Sequence, residues 1–388
     1  MARACADYGN PGSTHALGRA AARIVERARE AVAAAIGALP KEIVFTAGGT
    51  EAAPLALSGA GCIVATDTEH KAVLVPASRC RTPLRIGVDA AGRIPDLATF
   101  GDRLRDAVEA CIAADGVLGP RGVVGCAVMA ANNEIGTTYP VGAVARAARV
   151  ALSGCVDLRR EPVAVRVHTD AVNAFGKIPL HVDALGVDTL ALSAHKVGGP
   201  KGTGALYVRG GPLGPVARTL RPPCTGGGQE GGLRGGTPNV IGIAGFGAAV
   251  GVAMTALRDG EGERLRQLGD RLRWGLAARG YAVLGPDEDE VGGCVGAACV
   301  AGHGRLPNTV AVAMPSHAAA RGLAEHLDQR GVAVSTGSAC GCKAPRRSHV
   351  LAAIGCPGAV RFSLGWTTRP DDVEAALRAV PAVPVRLR

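Results

Sequence analysis

The sequence predicts an α/β fold in which a mostly parallel sheet lies between helices, followed by a smaller α+β unit. Three observations carry this. Short runs rich in β-branched residues alternate with longer Ala, Arg and Glu stretches of helical period. Glycine is abundant (56 residues) without a collagen-like period, while aromatics make up only 3%. A chain of 388 residues that is 47% apolar and 20% charged is also long enough to bury more than one core.

Taken in order, 16–36 reads as a helix, 42–46, 62–66 and 123–130 as strands, and 141–152 as a helix. The stretch 153–162 is polar and irregular and reads as a surface insertion. Residues 163–169, 189–193 and 204–208 continue the strand series. The apolar run 240–257 is mostly Gly, Ala and Val, too weakly hydrophobic for a membrane span, and reads as a buried helix. Beyond it, 258–279 is helical and charged, 308–314 and 332–335 read as strands, and helices follow Ser348 and Pro370. The change of character places a boundary near 257, giving a large domain over 1–257 and a small one over 258–388.

The formal charge of +10 comes from 43 Lys and Arg against 33 Asp and Glu. The arginines are scattered and no aromatic-interleaved basic stripe occurs, which argues against nucleic acid and for a basic face that meets an acidic protein partner. The 12 cysteines lack both the spacing of a disulfide framework and any C-x-x-C pair, so the reading is reduced thiols, no metal site and a cytoplasmic location. Residues 1–9 carry no secretory pattern.

The most informative stretch is Ser193-Ala194-His195-Lys196-Val197-Gly198-Gly199-Pro200-Lys201-Gly202-Thr203-Gly204. A strand-end lysine among Ser, His and Gly can be desolvated and become a nucleophile toward an aldehyde cofactor, although a lone lysine before a turn is more often a surface residue. His168-Thr169-Asp170-Ala171 places a carboxylate at another strand end, suited to a protonated pyridine nitrogen or, equally, to capping a helix. Thr46-Ala47-Gly48-Gly49-Thr50-Glu51 opens a helix whose amides and Thr50 hydroxyl suit a phosphate; alone, such a turn is weak evidence.

With Glu69-His70-Lys71-Ala72-Val73, Asn132-Asn133-Glu134-Ile135-Gly136 and Gly226-Gly227-Gly228-Gln229-Glu230 in the same order, the chain resembles the cysteine desulfurases and selenocysteine lyases. These form the class V branch of the fold type I pyridoxal-phosphate enzymes, and the resemblance runs from about Gly9 to Thr368. It implies that Lys196 links to pyridoxal 5'-phosphate, Asp170 binds the pyridine nitrogen and His70 stacks on the ring. Gly49, Thr50, Ser193 and His195 would hold the phosphate, Asn133 would lie beside the phenolic oxygen and help bind substrate, and Thr237 would reach the phosphate of a neighbouring subunit in an obligate homodimer. The family usually has Gln where this chain has Asn173, one methylene shorter, so that contact is expected to be lost or water-mediated. The family's first strand precedes the point where this chain begins, which suggests a shortened gene model or a fragment.

Val334-Ser335-Thr336-Gly337-Ser338-Ala339-Cys340-Gly341-Cys342 leads into a Gly, Pro and Arg-rich loop. A random cysteine is more often a small buried hydrophobe, but a thiolate on a loop can attack a substrate's sulfur, and the resemblance makes Cys340 the persulfide residue. Cys342 reads as a spare thiol. Arg361 would grip the carboxylate of L-cysteine. The implied activity is a desulfurase that passes sulfur to an acceptor protein serving iron-sulfur or thio-cofactor assembly. The rivals are a lyase for L-selenocysteine, favoured by Val167-His168-Thr169-Asp170 and the preceding insertion, and a catalytically silent relative, made thinkable by Asn173.

Overall fold

A computed structural model describes residues 1–80, 84–115, 122–286, 304–337 and 348–383. Seven strands form the main sheet, in the order Ile43–Thr46, Gly204–Val208, Thr189–Ser193, Ala164–Asp170, Val123–Ala127, Cys62–Thr66, Leu84–Ile86. Only Gly204–Val208 runs antiparallel to its neighbours. Four consecutive buried positions in Ile43–Thr46 and five each in Cys62–Thr66, Val123–Ala127 and Thr189–Ser193 are what a sheet covered on both faces requires, since neither face can be polar.

Helices Ala16–Ala35, Leu97–Asp115 and Val141–Ala151 cover the sheet, and their apolar faces (Val25 and Val32, Phe100 and Leu104, Val144 and Ala148) enter one large core with the strands. A second apolar cluster joins Leu268, Leu272 and Leu276 of helix Glu261–Ala277 to Val310 and Val312 of strand Thr309–Met314 and Val360 and Phe362 of strand Gly358–Ser363. Those two strands pair antiparallel from Thr309↔Ser363 to Met314↔Gly358.

Three expectations need correction. The strand expected over 123–130 is regular only to Ala127; beyond it the Val128 and Ala130 amides still donate to the carbonyls of His168 and Asp170 at 3.1 and 2.9 Å, and the chain bends at Ala130. Residues 332–335 form no strand; Ser335 alone bridges to Arg361, exchanging hydrogen bonds of 3.0 and 2.7 Å. The helix expected to be buried over 240–257 spans Val240–Arg258 but buries one face only, through Ile243, Phe246 and Val250, whereas Val252 is 69% exposed. Its length and composition would suit a membrane, yet that buried face packs on helix Ala16–Ala35 through Gly247, so close to Ala28 that a Cβ there would lie 2.8 Å from its Cα. The 153–162 segment is a surface turn as expected, organised by the buried Asp157 carboxylate, which accepts from the amides of Arg159 and Glu161 at 2.8 and 3.1 Å.

Candidate active site

Three strands deliver the site. Thr46 and Ser193 both register with Gly204 of the strand between them, which brings the Gly48 turn and the Ser193 turn side by side. The approach is so close that a Cβ on Gly204 would lie 2.6 Å from Gly48 Cα, so only glycine fits. Asp170 ends the next strand, level with Ala191. Beyond Ser193 the chain makes a single 3-10 turn, Ala194–Val197, that carries Lys196.

The first end of the site is acidic and dry. Asp170 is buried, with Oδ1 accepting from the Val172 amide at 2.9 Å. Burial raises its pKa above the ordinary carboxylate range, against the pull of His70, the Val172 amide and Lys196. Glu69 is fully buried, its Oε1 accepting from the Met129 amide at 2.5 Å and from Thr66 Oγ1 at 3.3 Å, while Oε2 has no hydrogen-bond partner among the described residues. Desolvation, then the charge of Asp170, push Glu69 up to about 8, so it is an uncharged acid at neutral pH. His70 caps helix Lys71–Ser78 by accepting from the Ala72 amide at 3.1 Å, which fixes its ring at this end.

The other end is cationic and open. A cleft of about 580 Å³ is lined by Ala47, Gly48, Gly49, Thr50, Glu51, Ser193, His195, Lys201 and Gly202. It sits at the amino end of helix Gly49–Leu57, where unpaired amides and the helix dipole favour an anion. Ser193 Oγ and His195 Nδ1 are 2.8 Å apart. Partial burial and the charges of Lys196, Lys201 and Lys177 hold the His195 imidazole below its ordinary range.

Asn132, Asn133, Asn173 and Arg361 close the site. Fully buried Asn132 accepts from the amides of Glu134 and Ile135 at 2.8 and 3.0 Å and donates to the Thr68 carbonyl at 3.0 Å, three bonds that lock the turn carrying Asn133. Arg361 donates to the Asn133 carbonyl at 2.5 Å, so these two residues meet. The Asn173 side-chain amide donates to the Asn132 carbonyl at 3.4 Å, beside the turn that carries Asn133. His349 donates to the Glu69 carbonyl at 2.8 Å, tying the residues around Ser348 to the His70 turn.

Thr237 lies apart from these residues, exposed, on a glycine-rich segment held by two ion pairs. Glu230 forms a bidentate pair with Arg29 at 2.8 Å and accepts from the Phe45 amide at 2.8 Å; Glu51 pairs with Arg234 at 3.0 Å. Cys340 and Cys342 lie outside the described residues. Sequence reasoning gave no role to Glu69, Lys177 or Lys201. Glu69 and Lys201 stood inside the quoted motifs, but burial and neighbouring charge, which give them their character, are tertiary facts.

The residues fit pyridoxal phosphate. A buried acid faces one end, where the ring nitrogen carries a proton, and a helix amino terminus with several cations faces the other, where the phosphate is a dianion.

The model of the family "Aminotransferase class-V" matches residues 5–376. A cysteine desulfurase IscS of Dictyoglomus turgidum is 35% identical over 396 residues, covering 98% of this chain and 89% of that protein. A cysteine desulfurase of Frankia sp. is 39% identical over 401 residues, covering 98% and 86%. Among solved structures, a NifS-like protein superposes with a TM-score of 0.73 at 30% identity over 96% of this chain and 90% of its own. A protein described as SspA in complex with cysteine superposes with a TM-score of 0.66 at 27% identity, over 92% of this chain and 91% of its own.

Proposed function

The chain belongs to the aminotransferase class-V family, on its cysteine desulfurase branch, and we propose that it converts L-cysteine to L-alanine with pyridoxal 5'-phosphate held on Lys196. The observation that carries this is the pocket's polarity: Asp170 and Lys196 on adjoining strand ends, with the cationic cleft beyond them. Bound there, the cofactor would supply an electron sink for the bond broken at the substrate's α-carbon. The remaining work belongs to the chain. Lys196 would hold the aldehyde and, once displaced by substrate, move the α-proton. Asp170 would keep the ring nitrogen protonated, His70 would lie on the ring, and Gly49, Thr50, Ser193 and His195 would bind the phosphate. Asn173, engaged with the Asn132 carbonyl, would stand behind Asn133, and Arg361 with Asn133 would orient the substrate carboxylate. Cys340 as thiolate would attack the substrate sulfur; a sulfur-sulfur bond forms, the carbon-sulfur bond breaks, and its electron pair stays with the carbon that becomes alanine's methyl.

A homodimer accounts for Thr237, presented outward on its pinned segment to a neighbour's phosphate, and for the apolar surface of Val252, Leu17 and Tyr8, which are 69, 56 and 90% exposed. Sedimentation at micromolar concentration should give twice the chain mass. The eight described cysteines are all free thiols, in keeping with a cytoplasmic enzyme, and the charge of +10 suits an acidic sulfur-acceptor protein. The relatives reported above are named cysteine desulfurases, which favours L-cysteine over L-selenocysteine.

The test is incubation with each amino acid, measuring alanine and the released chalcogen, for the wild type and Cys340→Ala. The variant should bind cofactor and cysteine yet make no alanine from cysteine. It should still turn over selenocysteine, whose selenium leaves with less nucleophilic help. Alanine from cysteine at the wild-type rate would remove Cys340 from the reaction.

A further inference from the structure

Lys177 has no part in the reaction outlined above, yet it sits against the residue on which that reaction turns. It follows the tight turn after the Asp170 strand. Its Nζ donates to the Asn173 carbonyl at 2.8 Å and to the Lys196 carbonyl at 3.5 Å. The two turns also interlock through Gly176, which adopts φ +72, and a Cβ there would stand 2.5 Å from Val197 Cγ1. An ammonium used in this way has two consequences. Charge-assisted bonds to carbonyls on separate turns fix the Asp170 turn relative to the Lys196 turn. A second positive charge also stands beside a lysine that must give up its proton to act as a nucleophile.

We propose that Lys177 is a positioning residue for Lys196, holding its turn against the Asp170 turn and, through its own charge, favouring the loss of a proton from the nitrogen of Lys196. The role rests on the proposed function for the identity of Lys196 as the cofactor's lysine. Lys177, Lys196 and Lys201 all act on His195; the one carboxylate among the described residues lining the cleft on that side, Glu51, is paired with Arg234 at 3.0 Å. Asp170 opposes them from its strand end by its attraction to Lys196. Helix Glu261–Ala277 approaches too, since a Cβ on Gly262 would lie 3.6 Å from the Lys177 carbonyl, but Glu261 there is paired with Arg264 at 2.6 Å. Burial and then Lys196 draw the Lys177 amine down to about 7, so the charge it lends fades above neutral pH. A guanidinium in its place would stay charged throughout.

The experiment is a pH titration of the bound cofactor's visible absorption in wild type, Lys177→Met and Lys177→Arg, with cofactor release rates and thermal midpoints measured alongside. Borohydride reduction and peptide mapping of the wild type check the cofactor's attachment. Lys177→Met should raise the titration midpoint by about one pH unit, the scale expected for a close charge, and release cofactor several-fold faster. Lys177→Arg should lower the midpoint or leave it unchanged. Should Lys177→Met not fold, Lys177→Gln, which keeps a donor but no charge, takes its place with the same expected midpoint. Thermal midpoints that fall while the titration stays within a few tenths of a unit would reduce Lys177 to a packing residue and overturn the proposal. A wild-type label away from Lys196 would overturn the proposed function and this role together, which the peptide map distinguishes from a failure of Lys177 alone.

Discussion

The two ends of the pocket hold opposite charge in opposite surroundings. At one end Asp170 and Glu69 are buried close enough to repel, and burial pushes both toward their protonated forms. At the other, Lys177, Lys196 and Lys201 crowd His195, and the cationic groups Lys177 and His195 are pushed toward their neutral forms. Each gathering of like charge costs energy by itself. Together they form a template for a molecule with a cation at one end and a dianion at the other. The acid end is dry because Asp170 finishes a covered strand, and the basic end is open because glycine-rich turns follow Thr46 and Ser193. On the proposed function, selectivity for the cofactor comes from where the strands stop.

Breaking the acid end should have the larger effect. Asp170→Asn removes the buried charge that the proposed function pairs with the ring nitrogen, and losing one partner of a buried pair costs roughly 3–5 kcal/mol. Alanine production should fall at least about a hundredfold on that scale, with the cofactor's absorption band displaced as well. A variant within tenfold of wild type would mean that Asp170 does not hold the nitrogen. Breaking the basic end at Lys201, which lines the open cleft, should cost less. Lys201→Ala should weaken cofactor affinity by about tenfold, the low end for a hydrogen bond to a charged group, measured by equilibrium dialysis. Unchanged affinity would take Lys201 out of the phosphate site.

The smallest effect concerns Glu69 and stability. In the folded chain Glu69 holds its proton up to about 8, against an ordinary value near 4.5. The folded state thus binds more protons than the unfolded one across that window, so its contribution favours folding at low pH and is lost as pH rises toward 8. Glu69→Gln should remove that loss. Thermal unfolding of the cofactor-free protein from pH 5 to pH 8 should show the variant gaining on the wild type as pH rises, and parallel curves would mean that Glu69 is charged throughout.

Much of this site could be read from the sequence, and the reason differs along the chain. Ser193 and Lys196 were legible because the covered strand Thr189–Ser193 writes an apolar run that stops at the polar residue it delivers, whereas Asp170 ends a strand carrying Arg166, His168 and Thr169 and was legible only through the His168-Thr169-Asp170 motif. The Thr46 turn was legible because glycine marks the close approach of chains. Residues 332–335 misled because Val332 and Val334 suit a strand, yet the segment is bridged only at Ser335, to Arg361, and a single bridge makes no strand. The 240–257 run misled because apolar composition does not say how many faces are covered. Glu69, Lys177 and the contact between Asn173 and Asn132 could not be read at all, since they depend on which turns the fold brings together.

Three lysines lie around one histidine here, and the account stands on which of them carries the cofactor. Borohydride reduction of the cofactor-loaded protein, followed by peptide mapping, answers that directly. The account predicts a pyridoxyl group on Lys196 and none on Lys177 or Lys201. A label on either neighbour, or none anywhere in a protein that has taken up the cofactor, would contradict it.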